Sequence, residues 1–502
     1  MWDLVALFAL LVFLIRYYLK NTYNYWEKRK VPCPTPKYIF GTLYDSIVMK
    51  KSLAQIYYEL YNQYPDSNYV GFYKFFKPGV VIRNPEIIRD IVIKEFSSFH
   101  DNDFYLSEHD DFIFGNNPFV LRGPKWKVVR SQLSPSFTSG KVKNMAPHVI
   151  VNGKKMLKYI EETCTNDVAC LEMKDLATRF TSENVASCAF GLEGNSFIDP
   201  DAKFKVIGRQ LTEPSFISGL KMVLIMAVPM MAKVFRVKFF TDDVTAFLKN
   251  IVVETLKYRK DNGIFRNDFL DFMTTLRAKI NNEKEFNENE ITAHAGGFFI
   301  DGYETSAIVI SYALYEMAAN PEEQERLKAN IDEVLEKYNG ELTYEAIQEM
   351  EYLDLVLKES LRKNVPLMAL SKMCTRPFKL PPAREGGPEV VLQPGMPVII
   401  PAWALHVDEK YYPEPDKFIP ERFADMDAIP KNTYMPFGDG PRMCLGMKFG
   451  QLQAKTSLAT IIRDYRLEVD KTQTSEPLEM DPRFFMRSAR NGIWIKLNKR
   501  KP

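Results

Sequence analysis

Cysteine is sparse. Six are spread over 502 residues, at 33, 164, 170, 188, 374 and 444, which excludes a disulfide framework and suits a reducing compartment. Neither sign of charge dominates: 66 Lys and Arg stand against 64 Asp and Glu, a formal net charge of +2, so there is no basic footprint for nucleic acid. A Gly-x-Gly-x-x-Gly fingerprint and a Walker A loop are both missing, so the chain carries no nucleotide-binding signature of its own. There is no internal repeat and no low-complexity linker long enough to divide the chain. The length permits two or three domains, but nothing splits residues 37–502. With 46% hydrophobic and 26% charged residues, the composition is that of a globular protein without a disorder signature.

One long apolar run is present. Residues 4–15 are unbroken, and Trp2 and residues 17–19 extend the run weakly around Arg16. A spanning helix needs ~20 mostly apolar residues. This segment is short, yet workable if Arg16 and Lys20 reach back to the interface. The cluster Lys28-Arg29-Lys30 follows, and the positive-inside rule then puts the main body in the cytosol. A cleaved signal peptide is the competing assignment. Against it stand the missing basic n-region, Asp3 near the start and the lack of a small-x-small cleavage site. Residues 1–20 are therefore expected to be a retained membrane anchor and residues 21–36 a basic, proline-rich hinge. In Val31-Pro32-Cys33-Pro34-Thr35-Pro36 the alternating prolines remove donors and hold an extended path.

Further on, residues 69–75 and 79–83 read as a hairpin and residues 85–93 as a helix. His109-Asp110-Asp111 has the His-x-Asp form of non-haem iron sites, with His148 downstream, but a solvated charged loop explains it better. Trp126 and Arg130, four apart, share one helix face. Residues 149–291 are largely helical. Within them, 214–240 form an apolar stretch with a greasy face for a substrate channel or a membrane surface, and 281–290 a polar loop.

Residues 291–319 should form one long helix. It contains Ala295-Gly296-Gly297 and Asp301-Gly302-Tyr303-Glu304-Thr305-Ser306. Glycines and an acid–alcohol pair are costly inside an apolar helix, and a ligand lying against the helix explains them best. Gly302 can open the hydrogen-bond ladder. Asn320-Pro321-Glu322-Glu323 reads as a restart with Asn320 as N-cap. In the helix 353–363, Glu359 and Arg362 lie three apart on one face. Short strands follow at 372–375, 390–392 and 397–401, with a turn at Pro394-Gly395.

The chain's most specific stretch is Phe437-Gly438-Asp439-Gly440-Pro441-Arg442-Met443-Cys444-Leu445-Gly446, followed by a helical run over 449–462. Glycines let backbone N–H groups approach a neighbour, and the start of a helix adds positive partial charge. Both are expected to lower the Cys444 thiol pKa toward the metal-binding thiolate. Phe437 can shield the sulfur, and Arg442 offers a cation beside it. No second cysteine lies within four residues, which argues against a zinc knuckle or redox pair. A lone thiolate on iron points to haem.

This Phe-x-x-Gly-x-x-x-Cys-x-Gly pattern resembles the haem-binding signature of the cytochromes P450. Five motifs fall in that family's order across nearly the whole chain, with the closest likeness to insect microsomal P450s of family six and a weaker one to mammalian family three. The resemblance implies a mainly α fold with small β-sheets, one catalytic domain plus an N-terminal membrane anchor. It implies haem b (iron protoporphyrin IX) between the helix carrying Thr305 and the loop carrying Cys444, with Cys444 on the iron and Phe437, Gly438 and Gly446 shaping the loop. Trp126, Arg130, Lys372 and Arg442 are then expected at the cofactor, Lys372 standing where the family has an arginine on a propionate. Glu304 and Thr305 would relay protons to oxygen, and Glu359, Arg362 and Arg422 would lock the cysteine loop. Asp301 replaces the family's usual alanine. On the face of Thr305, it should attract amines, bend toward a local donor, or bond to the cofactor as the corresponding glutamate does in many family-four P450s.

The implied reaction is monooxygenation of a lipophilic small molecule, by likeness a xenobiotic such as a plant toxin or insecticide, on the cytosolic face of the endoplasmic reticulum. Electrons would come from NADPH through NADPH–cytochrome P450 reductase, with cytochrome b5 as a candidate second donor and Lys127, Arg442 and Lys448 as a candidate docking face. The alternatives are a haem-thiolate isomerase or dehydratase, which needs no proton relay to oxygen, and a non-catalytic haem-binding protein.

Overall fold

The computed structural model describes residues 2–227, 229–280 and 286–501. It is mainly helical with three small sheets. The largest sheet has five strands in the order Tyr69–Lys74, Lys77–Ile82, Pro397–Ile400, Leu370–Met373 and Asp101–Asn102. Its first two strands are the expected hairpin, closed by Phe75 at φ 56°. Lys77–Ile82 then runs parallel to Pro397–Ile400, and the remaining pairs are antiparallel. A three-stranded sheet joins Val168–Glu172, Trp494–Lys499 and Tyr465–Val469, and Phe378–Leu380 pairs with Val390–Leu392.

The expected long helix spans Glu288–Ala319, capped by the Asn287 side chain on the N–H groups of Asn289 and Glu290. Most of its residues are buried, because it packs against Met173–Val185, Met447–Asp464 and Asp242–Asn262 together. The helix runs unbroken through Gly302, so the expected opening of its ladder does not occur. Asn320 does hold the N-cap position of the next helix, Pro321–Lys337, but its side chain makes no capping hydrogen bond there. Its side-chain amide instead donates to the Glu316 carbonyl at 2.8 Å, closing the end of the helix before it.

The first helix, Trp2–Tyr23, leaves Trp2, Leu4, Phe8 and Phe13 exposed. Among the described residues no helix is long and apolar enough to cross a membrane. The side chains of Ala9, Leu11, Val12 and Ile15, within the expected anchor, lie outside the described ones, as does Met1. Residues 281–285 of the expected polar loop and Val228 also lie outside them. Around Val228, the helices Phe216–Ala227 and Pro229–Val234 carry the expected greasy face, with Phe216, Ile217, Val234 and Phe235 exposed.

The hinge is more firmly seated than a spacer. Trp26 is fully buried, its indole N–H donating to the Phe72 carbonyl at 3.1 Å. Gly71 makes the docking possible, since a Cβ there would lie 2.6 Å from the Trp26 ring. The N–H of Gly71 donates to the Pro32 carbonyl at 2.8 Å, fixing the proline stretch beside it. Trp26→Ala should therefore destabilise the catalytic body by ~3–5 kcal/mol, the range for truncating a buried large aromatic. Thermal unfolding of the haem-loaded protein checks this, and an unchanged midpoint would show that the hinge does not help to hold the body.

Candidate active site

The Cys444 loop is built by its glycines and by two buried anchors. Gly440 has φ +68°, and a Cβ there would lie 2.0 Å from the Val92 carbonyl oxygen, so no other residue fits. Gly438 takes φ +71°, turning the chain so that the Cys444 N–H donates to the Phe437 carbonyl at 2.8 Å. Arg442 points inward. Its Nε, Nη1 and Nη2 donate to the carbonyls of His100, Pro118 and Leu121 at 2.7–2.8 Å, and its guanidinium lies 4.0 Å from the Trp126 ring centre. The Arg442 side chain is 4% exposed, so it offers nothing to an outer docking face. Lys127 and Lys448 are exposed, and Lys448 Nζ donates to Ser139 Oγ at 2.6 Å. Arg130 Nη2 donates to the Met443 carbonyl at 2.8 Å, tying the loop to the Gly123–Leu133 helix.

The second anchor is the Glu359–Arg362 pair. Both residues are completely buried. Arg362 grips Glu359 with two parallel bonds of 2.7 and 2.8 Å, and donates to the carbonyls of His406 and Pro415 at 2.8 Å. Arg422 Nε lies 3.4 Å from Glu359, and the Ile419 N–H donates to it at 3.0 Å. His406 carries the connection onward, its Nε2 accepting the Met435 N–H at 3.0 Å, just before the cysteine loop. Burial pushes His406 down to about 3, keeping the ring neutral and able to accept. Its place in Leu405-His406-Val407-Asp408 gives no hint of this link.

Around the loop lies an enclosed cavity of about 380 Å³, within the usual ~300–1,000 Å³ of small-molecule sites. The Glu288–Ala319 helix supplies Phe298, Asp301, Gly302, Thr305 and Val309 to its wall, and the loop supplies Phe437, Gly438, Cys444 and Gly446. Trp126, Arg130, Lys372 and Arg442 line it too, with phenylalanines 104, 114, 119, 239, 484 and 485. The expected acid–alcohol pair is divided. Thr305 faces the cavity and donates from Oγ1 to the Asp301 carbonyl at 2.5 Å. Glu304 is completely buried away from it, ion-paired with Lys174, and its Oε2 has no partner. Gln453 fills a place that no motif marks: its Nε2 donates to the Gly302 carbonyl at 3.3 Å and to Ser306 Oγ at 2.9 Å.

The thiol does not behave as the loop alone suggests. The packed surroundings push Cys444 up to about 11, outweighing the Gly446 N–H and Arg130 with help from the Asp301 charge, although the residue is exposed toward the cavity. Loop amides cannot ionise a desolvated thiol by themselves, whereas a bound metal cation can. The nearby cations are crowded too, with Asp101, 3.6 Å from Arg442, as a carboxylate beside them. Burial and mutual repulsion push Lys372 down to about 7 and Arg442 down to about 9, and burial lowers Arg130. Lys372 Nζ reaches only the Asn102 side chain, at 2.9 Å. A group carrying a metal cation for the thiol and carboxylates for the basic cluster fits these residues. At His109–Asp111, where a solvated charged loop is expected over a metal site, Asp111 is buried rather than solvated. Asp111 caps Phe112–Gly115 and accepts the N–H groups of Phe239 and Phe240, and among the described residues no cluster of three His, Cys, Asp or Glu is placed to hold a metal ion.

A mainly helical body enclosing one thiol and a cluster of cations in an apolar chamber has the architecture of a haem-thiolate protein. Residues 31–494 match the family described as Cytochrome P450. The chain is 38% identical to "Probable cytochrome P450 6a23" of Drosophila melanogaster over 504 residues, covering 99% of each. It is 34% identical to "Cytochrome P450 6j1" of Blattella germanica over 501 residues, 99% of this chain and 98% of the relative, and 32% identical to "Cytochrome P450 6k1" of the same insect over 512 residues, 98% and 96%. The chain belongs to the cytochrome P450 family, and with it to the haem-containing monooxygenases.

Glu359→Gln should leave the Arg362 charge buried without its counter-ion, at a cost of ~3–5 kcal/mol. Because the pair reaches the cysteine loop through His406, haem content per polypeptide should fall together with the thermal midpoint. A destabilised protein with full haem content would uncouple the pair from the loop.

Proposed function

We propose that this chain oxidises lipophilic small molecules, with Cys444 as the axial haem ligand, dioxygen as oxidant and electrons delivered from NADPH by NADPH–cytochrome P450 reductase. The observation that carries this reading is that the Cys444 thiol and the Thr305 hydroxyl line one enclosed, mostly apolar cavity. Haem, when bound, supplies the activation of dioxygen and the oxidising power. Arg130, Lys372 and Arg442 would hold its carboxylates, with Trp126 stacked beneath Arg442. The phenylalanine walls exclude water and select apolar substrates. Thr305 holds a proton at Oγ1, donated at present to the Asp301 carbonyl. Glu304 resupplies that hydroxyl only after leaving Lys174, so Lys174 sets when the acid is free. The isomerase and carrier readings gain nothing from a hydroxyl placed this way. Reconstitution with the reductase and a lipophilic substrate should give NADPH consumption with oxygenated product; turnover without NADPH, or none with it, would favour one of them.

Two supports bear on a site at the endoplasmic reticulum membrane: the exposed apolar side chains of Trp2–Tyr23 and those of Phe216, Ile217, Val234 and Phe235. Among microsomal xenobiotics, plant toxins and insecticides are the substrates that the insect likeness favours.

Thr305→Ala should uncouple the reaction, with less product and more peroxide per NADPH. Unchanged coupling would show that the hydroxyl is dispensable. Deleting residues 1–20 should weaken flotation with liposomes without removing haem, and residual binding should remain through 214–240. A truncated protein wholly free of vesicles would remove that second contact.

A further inference from the structure

The polar groups of the cavity are unevenly placed. Arg130, Lys372 and Arg442 gather beside the cysteine loop, whereas Asp301 stands on the Glu288–Ala319 helix with no ion-pair partner among the described residues. Its one hydrogen bond comes from Asn117, whose Nδ2 donates to Oδ2 at 2.9 Å. That amide cannot turn round, because its own Oδ1 accepts the Phe119 N–H at 2.8 Å. Gly297 makes the approach possible, since a Cβ there would lie 3.2 Å from Asn117 Nδ2. One carboxylate oxygen is thus fixed by a buried amide, while the residue stays exposed to the cavity space. Enclosure pushes the carboxyl up to about 6, low enough to leave it largely ionised at neutral pH. His294, two turns back on the same helix, is no counter-ion, because burial pushes it down to about 4 and keeps it neutral. The cavity that Asp301 lines is mostly apolar, with Phe114, Phe298, Ile300 and Val309 among its lining residues. A carboxylate that faces a mostly apolar cavity and lacks an ion-pair partner among the described residues favours a cation in the space before it.

We propose that Asp301 makes the chamber selective for lipophilic amines, the carboxylate oxygen left free by Asn117 binding the protonated nitrogen of the substrate. This presupposes that the chamber is where the monooxygenase binds its substrate. The match is one of kind as well as charge: an ammonium N–H donates to the carboxylate, and the hydrocarbon part fills the phenylalanine-lined space.

The test uses the full-length, haem-loaded protein in equilibrium dialysis with two probes, N,N-dimethyl-phenylbutylamine and the hydrocarbon in which CH replaces its nitrogen. The wild-type protein should bind the amine more tightly than the hydrocarbon. Asp301→Asn, which keeps the shape and an acceptor for Asn117, should weaken amine binding on the order of 10- to 100-fold, the worth of one charge-assisted hydrogen bond. Hydrocarbon binding should change by less than about twofold, well inside that margin. Equal wild-type affinity for the two probes would overturn the proposal whatever the variant does, and so would an amine preference that survives Asp301→Asn. Haem that stays with the polypeptide through acid–organic extraction after turnover would also overturn it, because the carboxylate would then be held in an ester. The reduced-CO band, read on the same samples, separates the two levels. Its absence from the wild-type protein would sink the monooxygenase reading itself, whereas a normal thiolate band without amine preference sinks only the selectivity.

Discussion

Desolvation of a single thiol governs this structure. A thiol hemmed in by protein tends to keep its proton, and its surroundings push Cys444 up to about 11 although the residue is exposed toward the cavity. The Gly446 N–H and the Arg130 charge oppose that effect without reversing it. The loop is therefore built for a sulfur whose charge is completed by a metal cation, and the basic residues beside it for anions that accompany the metal. Neither half is comfortable alone: the thiol is disfavoured as a thiolate, and burial, with repulsion from neighbouring cations, pushes Lys372 and Arg442 down despite Asp101. A group carrying both charges satisfies both at once.

Such a site works only if its backbone does not relax. The rigidity comes from elements that touch no substrate. Arg362 places five polar contacts in a fully buried position, two on Glu359 and three on carbonyls of His406, Pro415 and Lys417. Through His406 the network reaches Met435 and the loop. On the other flank Arg442 joins the loop to the segment around His100, Pro118 and Leu121. Buried ion pairs of this kind are poor sources of net stability; here they fix the geometry of a loop whose glycines would otherwise leave it loose.

Much of this is legible in the sequence itself. The hairpin, the long helix, the Glu359–Arg362 helix and the cysteine loop all show strong local signals: turn residues, apolar periodicity, and glycines at positions of positive φ. What escaped depends on partners distant in sequence. Nothing near Trp26 announces Gly71, and nothing near Asn117 announces Asp301, 184 residues away. Glu304 and Thr305 are adjacent, yet a helix sends adjacent side chains in different directions, and Lys174 captures the acid. Asn320 takes the N-cap position before a proline, yet its amide bonds backwards to the Glu316 carbonyl instead of capping the helix ahead. The thiol's raised pKa was hidden for the same reason, since motif chemistry counts the amides nearby but not the water excluded.

The central claim is that the enclosed sulfur of Cys444 binds the haem iron as a thiolate. Its most direct measurement is the absorbance spectrum of the reduced, CO-bound protein compared with that of Cys444→Ala. The parent protein should show the red-shifted band of thiolate-ligated haem, and the variant, folded but without the sulfur, should lack it. A variant that keeps that band would contradict the account, because another residue would then hold the iron.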